Sequence, residues 1–259
     1  MKNLHISVAP ETIAHIGKVA ITNSLLTSFL VMSILLILAF VSRKQVNKKG
    51  KGGSLTLIIE AVIEEFYDFL RNILGERIDR LFPVLMTFFL FIIVANWIGL
   101  LPGVGSIGFY ETGSQGKTFI PIFRGPNADL NTTIALALIS VLMTQFLSIK
   151  ALGIKNYIAR FINIKNPIKF FVGILELISE FAKILSFSFR LFGNIFAGEV
   201  LLAVMVFLIP ILVPIPFLAL EIFVGFIQAL VFTMLTSIFM VAATENHHMD
   251  KTELKLYSY

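Results

Sequence analysis

The C-terminal part of the chain contains two apolar segments, residues 167–209 and 216–244, separated only by a proline-rich corner. A single helix of roughly 40 residues, as the first segment allows, would be about 60 Å long. The hydrocarbon core of a bilayer is only about 30 Å thick. The first segment therefore either breaks near Gly193 or Gly198 or crosses a membrane at a strong tilt. The corner, Pro210 to Pro216, predicts that the two segments form a helical hairpin.

Three shorter apolar segments, residues 24–41, 82–101 and 129–148, come before this hairpin. Hydrophobic residues make up 57% of the chain and charged residues 14%, whereas a soluble domain has about 25% charged residues. Apolar runs of this length predict an all-α polytopic membrane protein with about five crossings, the last two long and tilted. We expect residues 1–259 to form a single membrane domain without internal repeats.

A sixth segment, residues 54–76, has the pattern of an amphipathic helix. Its acidic side chains recur at helical spacing against an apolar face. They are Glu60, Glu64, Glu65 and Asp68. Such a helix lies on a membrane surface or against a partner protein, so we do not count it among the crossings.

Basic residues are concentrated after two of the predicted spans. The two clusters are Arg43, Lys44, Lys48, Lys49 and Lys51, and Lys150, Lys155, Arg160, Lys165 and Lys169. The positive-inside rule places both clusters in the cytoplasm, which leaves residues 1–23 outside and makes residues 245–259 a cytoplasmic tail. The middle loop, with Lys117 and Arg124, is poorer in basic residues. The net charge of +5 thus reflects membrane topology, and we expect no nucleic-acid partner.

Several kinds of site are disfavoured by the sequence. Cysteine is absent, which excludes disulfides and thiolate metal sites. Residues 103–108 fit the G-x-G-x-x-G pattern, but no predicted strand comes before them, so a dinucleotide site is not expected. We therefore predict no cofactor.

Arg190 lies inside the longest apolar segment. A guanidinium stays charged in proteins, and a charge at the bilayer centre costs about 2.5–3.5 kcal/mol on insertion scales. On a helical wheel, a stripe of polar residues lies within about 40° of Arg190. Its members are Glu176, Ser179, Lys183, Ser186, Arg190 and Asn194. Hydrogen bonds between helices would explain isolated polar residues, but a charged residue on such a stripe indicates an ion or proton path.

Four motifs follow one another along the chain. They are Asn96–Gly103 (NWIGLLPG), Ala128–Leu136 (ADLNTTIAL), Leu185–Glu199 (LSFSFRLFGNIFAGE) and Ile227–Phe232 (IQALVF). In sequence, order and separation they closely resemble the signature of subunit a of F-type ATP synthases. The N-terminal segment and the last dozen residues carry no part of this signature.

The resemblance implies a function for the whole chain. In that family, the arginine at the position of Arg190 faces a rotating c-ring of small membrane subunits, each with a carboxylate inside the membrane. The chain would be a non-catalytic stator subunit with two offset aqueous half-channels for protons. The permanent cation would favour the ionised ring carboxylate and block a direct leak. The amphipathic helix would lie beside peripheral-stalk subunits of the b type.

The resemblance also implies roles for residues near Arg190. Asn194 and Gln228 would be its polar neighbours. Glu199 and Glu221 match two positions of the outer half-channel, although the family often has a histidine at one of them. Two glutamates so placed would be able to share a proton and titrate together.

Further residues match the outer and inner ends of the path. Asp129 and Asn131, at the outer end of the third span, resemble family residues near the point of proton uptake. Glu176 and Ser179 match the inner half-channel, and Glu180 is a looser candidate because it lies about 80° off the polar stripe.

Two other classes of protein compete with this interpretation. A secondary ion or solute transporter is the main alternative, but it should contain paired repeats with broken helices. A structural membrane scaffold would not require Arg190 on a polar stripe. We expect a proton as the coupling ion, with sodium left open because that choice depends chiefly on the ring. The charged N-terminus and tail favour a bacterial plasma membrane over the inner membrane of an organelle.

Overall fold

The computed structural model describes residues 7–17, 19–46, 54–113, 116–161, 167–209 and 212–256. Helices dominate these ranges: α1 (Asn23–Val46), α2 (Ser54–Leu74), α3 (Ile78–Ile98), α4 (Leu130–Leu152), α5 (Ile154–Phe161), α6 (Pro167–Leu208) and α7 (Pro214–Leu256). Five helical stretches within the described ranges are long and apolar enough to cross a membrane. The predicted all-α polytopic fold is therefore confirmed.

The bundle is organised around α3, which packs against α1, α2 and α7. Its side chains Leu85 and Ile92 are completely buried. On α7, the ring of Phe232 lies 5.6 Å from that of Phe88 on α3 and 5.1 Å from that of Phe187 on α6, measured between centroids. Helix α4 covers another side by packing against α6 and α7, so these contacts hold α6 beside the core.

Helix α2 is amphipathic and leads almost directly into α3. It buries Phe66, Leu70 and Leu74 in the core, while its four acidic side chains are exposed. A single 3-10 turn, Gly75–Arg77, joins the two helices, and the positive φ of Gly75 (55°) suits a residue without a Cβ atom. The apolar pattern predicted a span over 82–101, but α3 occupies 78–98, because hydropathy locates the apolar part of a helix and not its ends.

Helix α6 continues without a break through Gly193 and Gly198. Its 42 residues correspond to a length of about 63 Å. The predicted break near Gly193 or Gly198 is therefore absent from this helix, and its length is that of the alternative, a strongly tilted crossing. The predicted corner begins at residues 210 and 211, which lie outside the described part of the chain. Helix α7 starts at Pro214 and extends to Leu256, so the predicted tail is helical up to that residue.

Two short β-hairpins lie outside the helical pattern and were not predicted. One pairs β1 (Thr12–Ile16) with β2 (Val19–Thr22), and the other pairs β3 (Gly108–Gly113) with β4 (Gly116–Pro121). Asn23 connects them: its backbone N–H donates to Glu11 O at 3.0 Å and its Nδ2 to Pro121 O at 3.3 Å. We call this end of the bundle, where α1 and α4 begin and α3 ends, the hairpin end.

Candidate functional site

Arg190 lies on an open face of α6. Its side chain is exposed, and Nη2 donates a hydrogen bond to Ser186 Oγ, one helical turn away, at 3.1 Å. The nearby apolar side chains of Leu185 and Phe189 are also exposed, each at 54%. The helix therefore presents a permanent cation next to apolar side chains that the described part of the chain leaves exposed.

Asn194, one helical turn from Arg190 on α6, contacts Gln228 of α7. Asn194 Nδ2 donates to Gln228 Oε1 at 2.7 Å, which links α6 to α7. Gln228 is buried. This contact orients a pair of amides one turn along the helix from the guanidinium.

A cavity of about 190 Å³ opens at the hairpin end, and we call it the hairpin-end cavity. Glu199 of α6 and Glu221 of α7 both line it, together with Arg124 from the loop before α4 and Asn96 from α3. The two glutamates that the resemblance assigned to the outer half-channel thus line one cavity.

Arg124 is buried at this cavity although the sequence placed it among loop charges. Its Nη2 and Nε donate to Glu199 Oε2 at 3.1 and 3.3 Å. The guanidinium also donates to the carbonyl oxygens of Ser7 and Ala9, at 2.9 and 3.1 Å. Arg124 therefore connects α6 to the segment that precedes the first hairpin, and nothing local in the sequence indicated this.

Glu221 is more deeply buried in the cavity wall than Glu199. Its side chain is only 6% exposed, and its carboxyl group lies directly against Gly198 of α6, where an added Cβ atom would overlap it. The glycine thus makes room for an acid between two closely packed helices.

The motif Asn96–Gly103 ties α3 to α7 next to this acid. Asn96 Nδ2 donates to Gly225 O at 2.9 Å, and Asn127 Nδ2 donates to Asn96 Oδ1 at 2.7 Å. Trp97 Nε1 donates to Ile222 O at 3.0 Å. Asn96 and Asn127 are buried, so this network stabilises the wall of the cavity.

Asp129 begins α4 as its N-cap residue. Its Oδ1 accepts hydrogen bonds from the backbone N and from Nδ2 of Asn131, at 2.9 and 3.1 Å, and its Oδ2 accepts one from Ser24 Oγ at 2.5 Å. Asp129 is buried and is not among the residues that line the cavity. The structure thus places both predicted residues at the hairpin end and gives Asp129 a capping contact.

A second polar cluster lies on the other side of Arg190, toward the end of the bundle where α6 begins. Lys183 Nζ lies 2.7 Å from Glu180 Oε1 and 4.7 Å from the centroid of the Phe239 ring. Gln145 Nε2 donates to Glu180 Oε2 at 2.6 Å, and Tyr157 Oη donates to Gln145 Oε1 at 2.8 Å. We call Glu180, Lys183, Gln145 and Tyr157 the inner cluster.

The two residues predicted for the inner half-channel lie one turn or less from Glu180. Glu176 is half-buried and Ser179 is exposed. A cavity of about 640 Å³ also lies at this end. It is lined by residues of α4, α7, the start of α3 and the turn before it, and neither Glu176 nor Ser179 lines it. Glu180, which lies off the polar stripe on the helical wheel, contacts both Lys183 and Gln145.

Comparison with known proteins gives consistent matches. The model of the ATP synthase A chain family matches residues 25–241, a range that contains all four sequence motifs. ATP synthase subunit a of Moorella thermoacetica is 30% identical over 240 residues, which cover 93% of this chain and 99% of the relative. The subunit a of Syntrophobacter fumaroxidans is 33% identical over 249 residues, which cover 95% of this chain and 93% of the relative.

Proposed function

The chain belongs to the ATP synthase A chain family, and we propose that it is the proton-channel stator subunit of a rotary F-type ATP synthase. It is a multi-pass membrane protein of the Fo sector. The observation that carries the proposal is the position of Arg190, exposed on an apolar helix face between two polar clusters. In this role the subunit conducts protons and performs no catalysis itself.

The uncovered face of α6 is the proposed surface against the c-ring. Arg190 would meet a carboxylate of each ring subunit in turn. A close pair of opposite charges gains about 4 kcal/mol at an effective dielectric constant of 20, which is comparable with the cost of keeping either ion in lipid. The ring carboxylate can therefore bind Arg190 without being trapped by it.

The hairpin-end cavity is the proposed outer half-channel. Glu199 and Glu221 line it, and Glu199 lies nine residues from Arg190, about 13 Å along the helix axis. A proton arriving from this side would pass to a ring carboxylate, which could then turn into lipid as a neutral acid. Asp129 and Asn131 would shape the approach to this cavity by fixing the start of α4.

The inner half-channel is proposed to run past Glu176 and Ser179, with Glu180 beside them. After nearly a full turn of the ring, the carboxylate would release its proton on this side. Arg190 lies between the two paths, and its guanidinium cannot accept a proton. A permanent cation there blocks direct proton flow, while Asn194 and Gln228 orient the polar groups next to it.

The proposed assembly fixes partners and orientation. The c-ring would cover α6, and peripheral-stalk b-type subunits would lie beside α2, whose acids are exposed. We propose that the hairpin end faces outward from a bacterial plasma membrane and that the end of α7 is cytoplasmic, in line with the positive-inside rule. A proton is the proposed coupling ion, and sodium would require a different ring carboxylate site.

The decisive experiment measures ATP-driven acidification of inverted membrane vesicles. We expect Arg190→Ala to lower pumping by on the order of 100-fold or more, because the variant lacks the one charge that stabilises the ionised ring carboxylate. ATP hydrolysis by the soluble head should persist. The amount of assembled complex must be equal in variant and wild type.

Arg43→Ala is a matched control, because it deletes an exposed arginine near the end of α1. It should pump like the wild type. Undiminished pumping by Arg190→Ala would make Arg190 a structural residue and would refute the proposed mechanism.

A further inference from the structure

The hairpin-end cavity brings one cation and two acids together. Among the described residues on its walls, the ionisable groups are Arg124 from the loop before α4, Glu199 from α6 and Glu221 from α7, while α3 contributes the amide of Asn96. A single cation faces two acids of the same chemical type. Their functions depend on which of the two it neutralises.

The geometry pairs Arg124 with Glu199. Two N–H groups of the Arg124 guanidinium donate to Glu199 Oε2. The other described hydrogen bonds of the guanidinium go to the neutral backbone carbonyls of Ser7 and Ala9. Arg124 is 7% exposed and the Glu199 side chain 43%. Protonation of Glu199 would leave a buried cation with only neutral partners, which is unfavourable. Arg124 is therefore the direct counter-ion of Glu199.

Glu221 has no comparable partner. Within the described residues, its carboxyl group makes neither an ion pair nor a hydrogen bond, and it packs against the bare Cα of Gly198. A carboxylate there would be a buried charge without a counter-ion. The neutral acid suits this position, and the adjoining cavity offers it a route for proton exchange.

We propose that Arg124 is a positioning residue that fixes Glu199 as a permanent anion, and that Glu221 is the acid that carries the transported proton at this end. The proposal rests on the proposed function. It gives different roles to Glu199 and Glu221, which the resemblance assigned together to the outer half-channel. The step is a proton exchange. Glu221 binds one proton from water in the cavity and passes one proton on toward the ring carboxylate.

A double-mutant cycle tests this division, with pumping by inverted vesicles measured per assembled complex. Glu221→Gln should lower pumping by on the order of 100-fold, as expected for loss of a proton-transferring group, with or without Arg124→Gln. Glu199→Gln should lower pumping by about fivefold or more, because Arg124 then lacks its counter-ion. Adding Arg124→Gln to Glu199→Gln should restore most of that loss.

The opposite result of the cycle is also informative. If the double variant Arg124→Gln/Glu199→Gln pumps no better than Glu199→Gln, Glu199 itself carries the proton and the proposal is wrong. Glu221→Gln with full activity would refute it equally.

Histidine substitutions provide a second test that leaves Arg124 intact, in case its variants do not assemble. Imidazole exchanges protons near neutral pH. Glu221→His should retain pumping, with a pH midpoint moved toward about 6.5. Glu199→His should lose pumping, because it replaces the anion beside Arg124 by a neutral or cationic ring. The reverse pattern would overturn the assignment. A merely structural role of Arg124 predicts no shift of the pH midpoint in Glu221→His.

These tests are separable from that of the proposed function. Pumping that survives Arg190→Ala refutes the function itself, whatever the cavity variants do. Pumping that disappears in Arg190→Ala, without the expected rescue at Glu199, refutes only the division between the two glutamates.

Discussion

The two polar clusters that flank Arg190 neutralise their charges in different ways. At the hairpin end, Glu199 pairs with Arg124, 75 residues away in the chain, and a cavity remains next to the pair. In the inner cluster, Glu180 pairs with Lys183 on the same helix, three residues away, and Gln145 of α4 closes the contact. The hairpin end is thus built from distant segments around a cavity. The inner cluster is built around an ion pair within α6 that is hydrogen-bonded to α4.

This difference suggests how one helix can serve two paths. The paired acids lie at similar distances from Arg190, about 13 Å for Glu199 and 15 Å for Glu180 along the axis. The basic residue of each cluster is already paired with an acid of the same chain: Arg124 with Glu199, and Lys183 with Glu180. Arg190, whose described hydrogen bond goes to the neutral Ser186, is therefore free to attract a carboxylate from outside the chain.

The largest expected effect comes from changing the residue that separates the clusters. Arg190→Lys keeps a positive charge, but an ammonium can lose its proton when it is desolvated. We expect pumping to fall by on the order of 100-fold, measured as acidification of inverted vesicles. Lys183→Arg, the converse change two turns away, should keep its pair with Glu180 and pump normally. Wild-type pumping by Arg190→Lys would show that only the sign of the charge matters.

A second variant acts on the hairpin end alone. Gly198→Ala places a methyl group where the Glu221 carboxyl lies, so either α6 and α7 separate or the acid leaves the cavity wall. We expect about 1–3 kcal/mol of destabilisation from overpacking, measured by thermal unfolding of the purified complex, and a roughly tenfold loss of pumping if the acid moves.

Gly193→Ala is the matched control on the same helix, because its added Cβ atom would meet no atom of the other described residues within 4 Å, the adjoining backbone of α6 aside. It should leave unfolding unchanged or raise stability slightly, since alanine favours a helix. Equal destabilisation by both substitutions would mean that Gly198 matters for the helix and not for Glu221.

A smaller effect is expected in the inner cluster. Glu180→Gln leaves Lys183 without its counter-ion, about 10 Å from Arg190, where it would compete for the ring carboxylate. Because the pair is partly exposed, we expect a loss of pumping of about fivefold or less. Adding Lys183→Met should relieve the loss, since it removes the competing cation. A double variant that is worse than Glu180→Gln would instead indicate that Glu180 itself passes protons.

The stripe on α6 and the pair at its centre could be predicted because they depend on local spacing. Ser186 and Arg190 are four residues apart and bond as neighbours on one helix face. Such features need only helical periodicity. The resemblance implied that Asn194 and Gln228 are polar neighbours of Arg190, but their contact with each other was not predicted.

Other features could not be predicted because their partners are distant in the chain. Arg124 resembled a solvated loop residue, and nothing in its neighbourhood pointed to Glu199. Glu180 seemed peripheral since it lies off the stripe, but its partner Gln145 is on α4. The β-hairpin at Gly108–Pro121 lies in a loop rich in glycine and serine. Its strands have only six residues each, which is too short for a clear alternation of apolar and polar side chains.

The smallest expected effect separates two roles for Asp129. Sequence resemblance placed it near proton uptake, whereas its contacts are those of an N-cap bonded to Asn131 and Ser24. Asparagine caps a helix about as well as aspartate, so Asp129→Asn should change neither thermal stability nor pumping appreciably. Asp129→Ala should destabilise the protein by about 1 kcal/mol. If Asp129→Asn unfolds like the wild type but pumps poorly, the carboxylate of Asp129 takes part in proton uptake. The hairpin end would then use a third acid, for which the inner cluster has no counterpart.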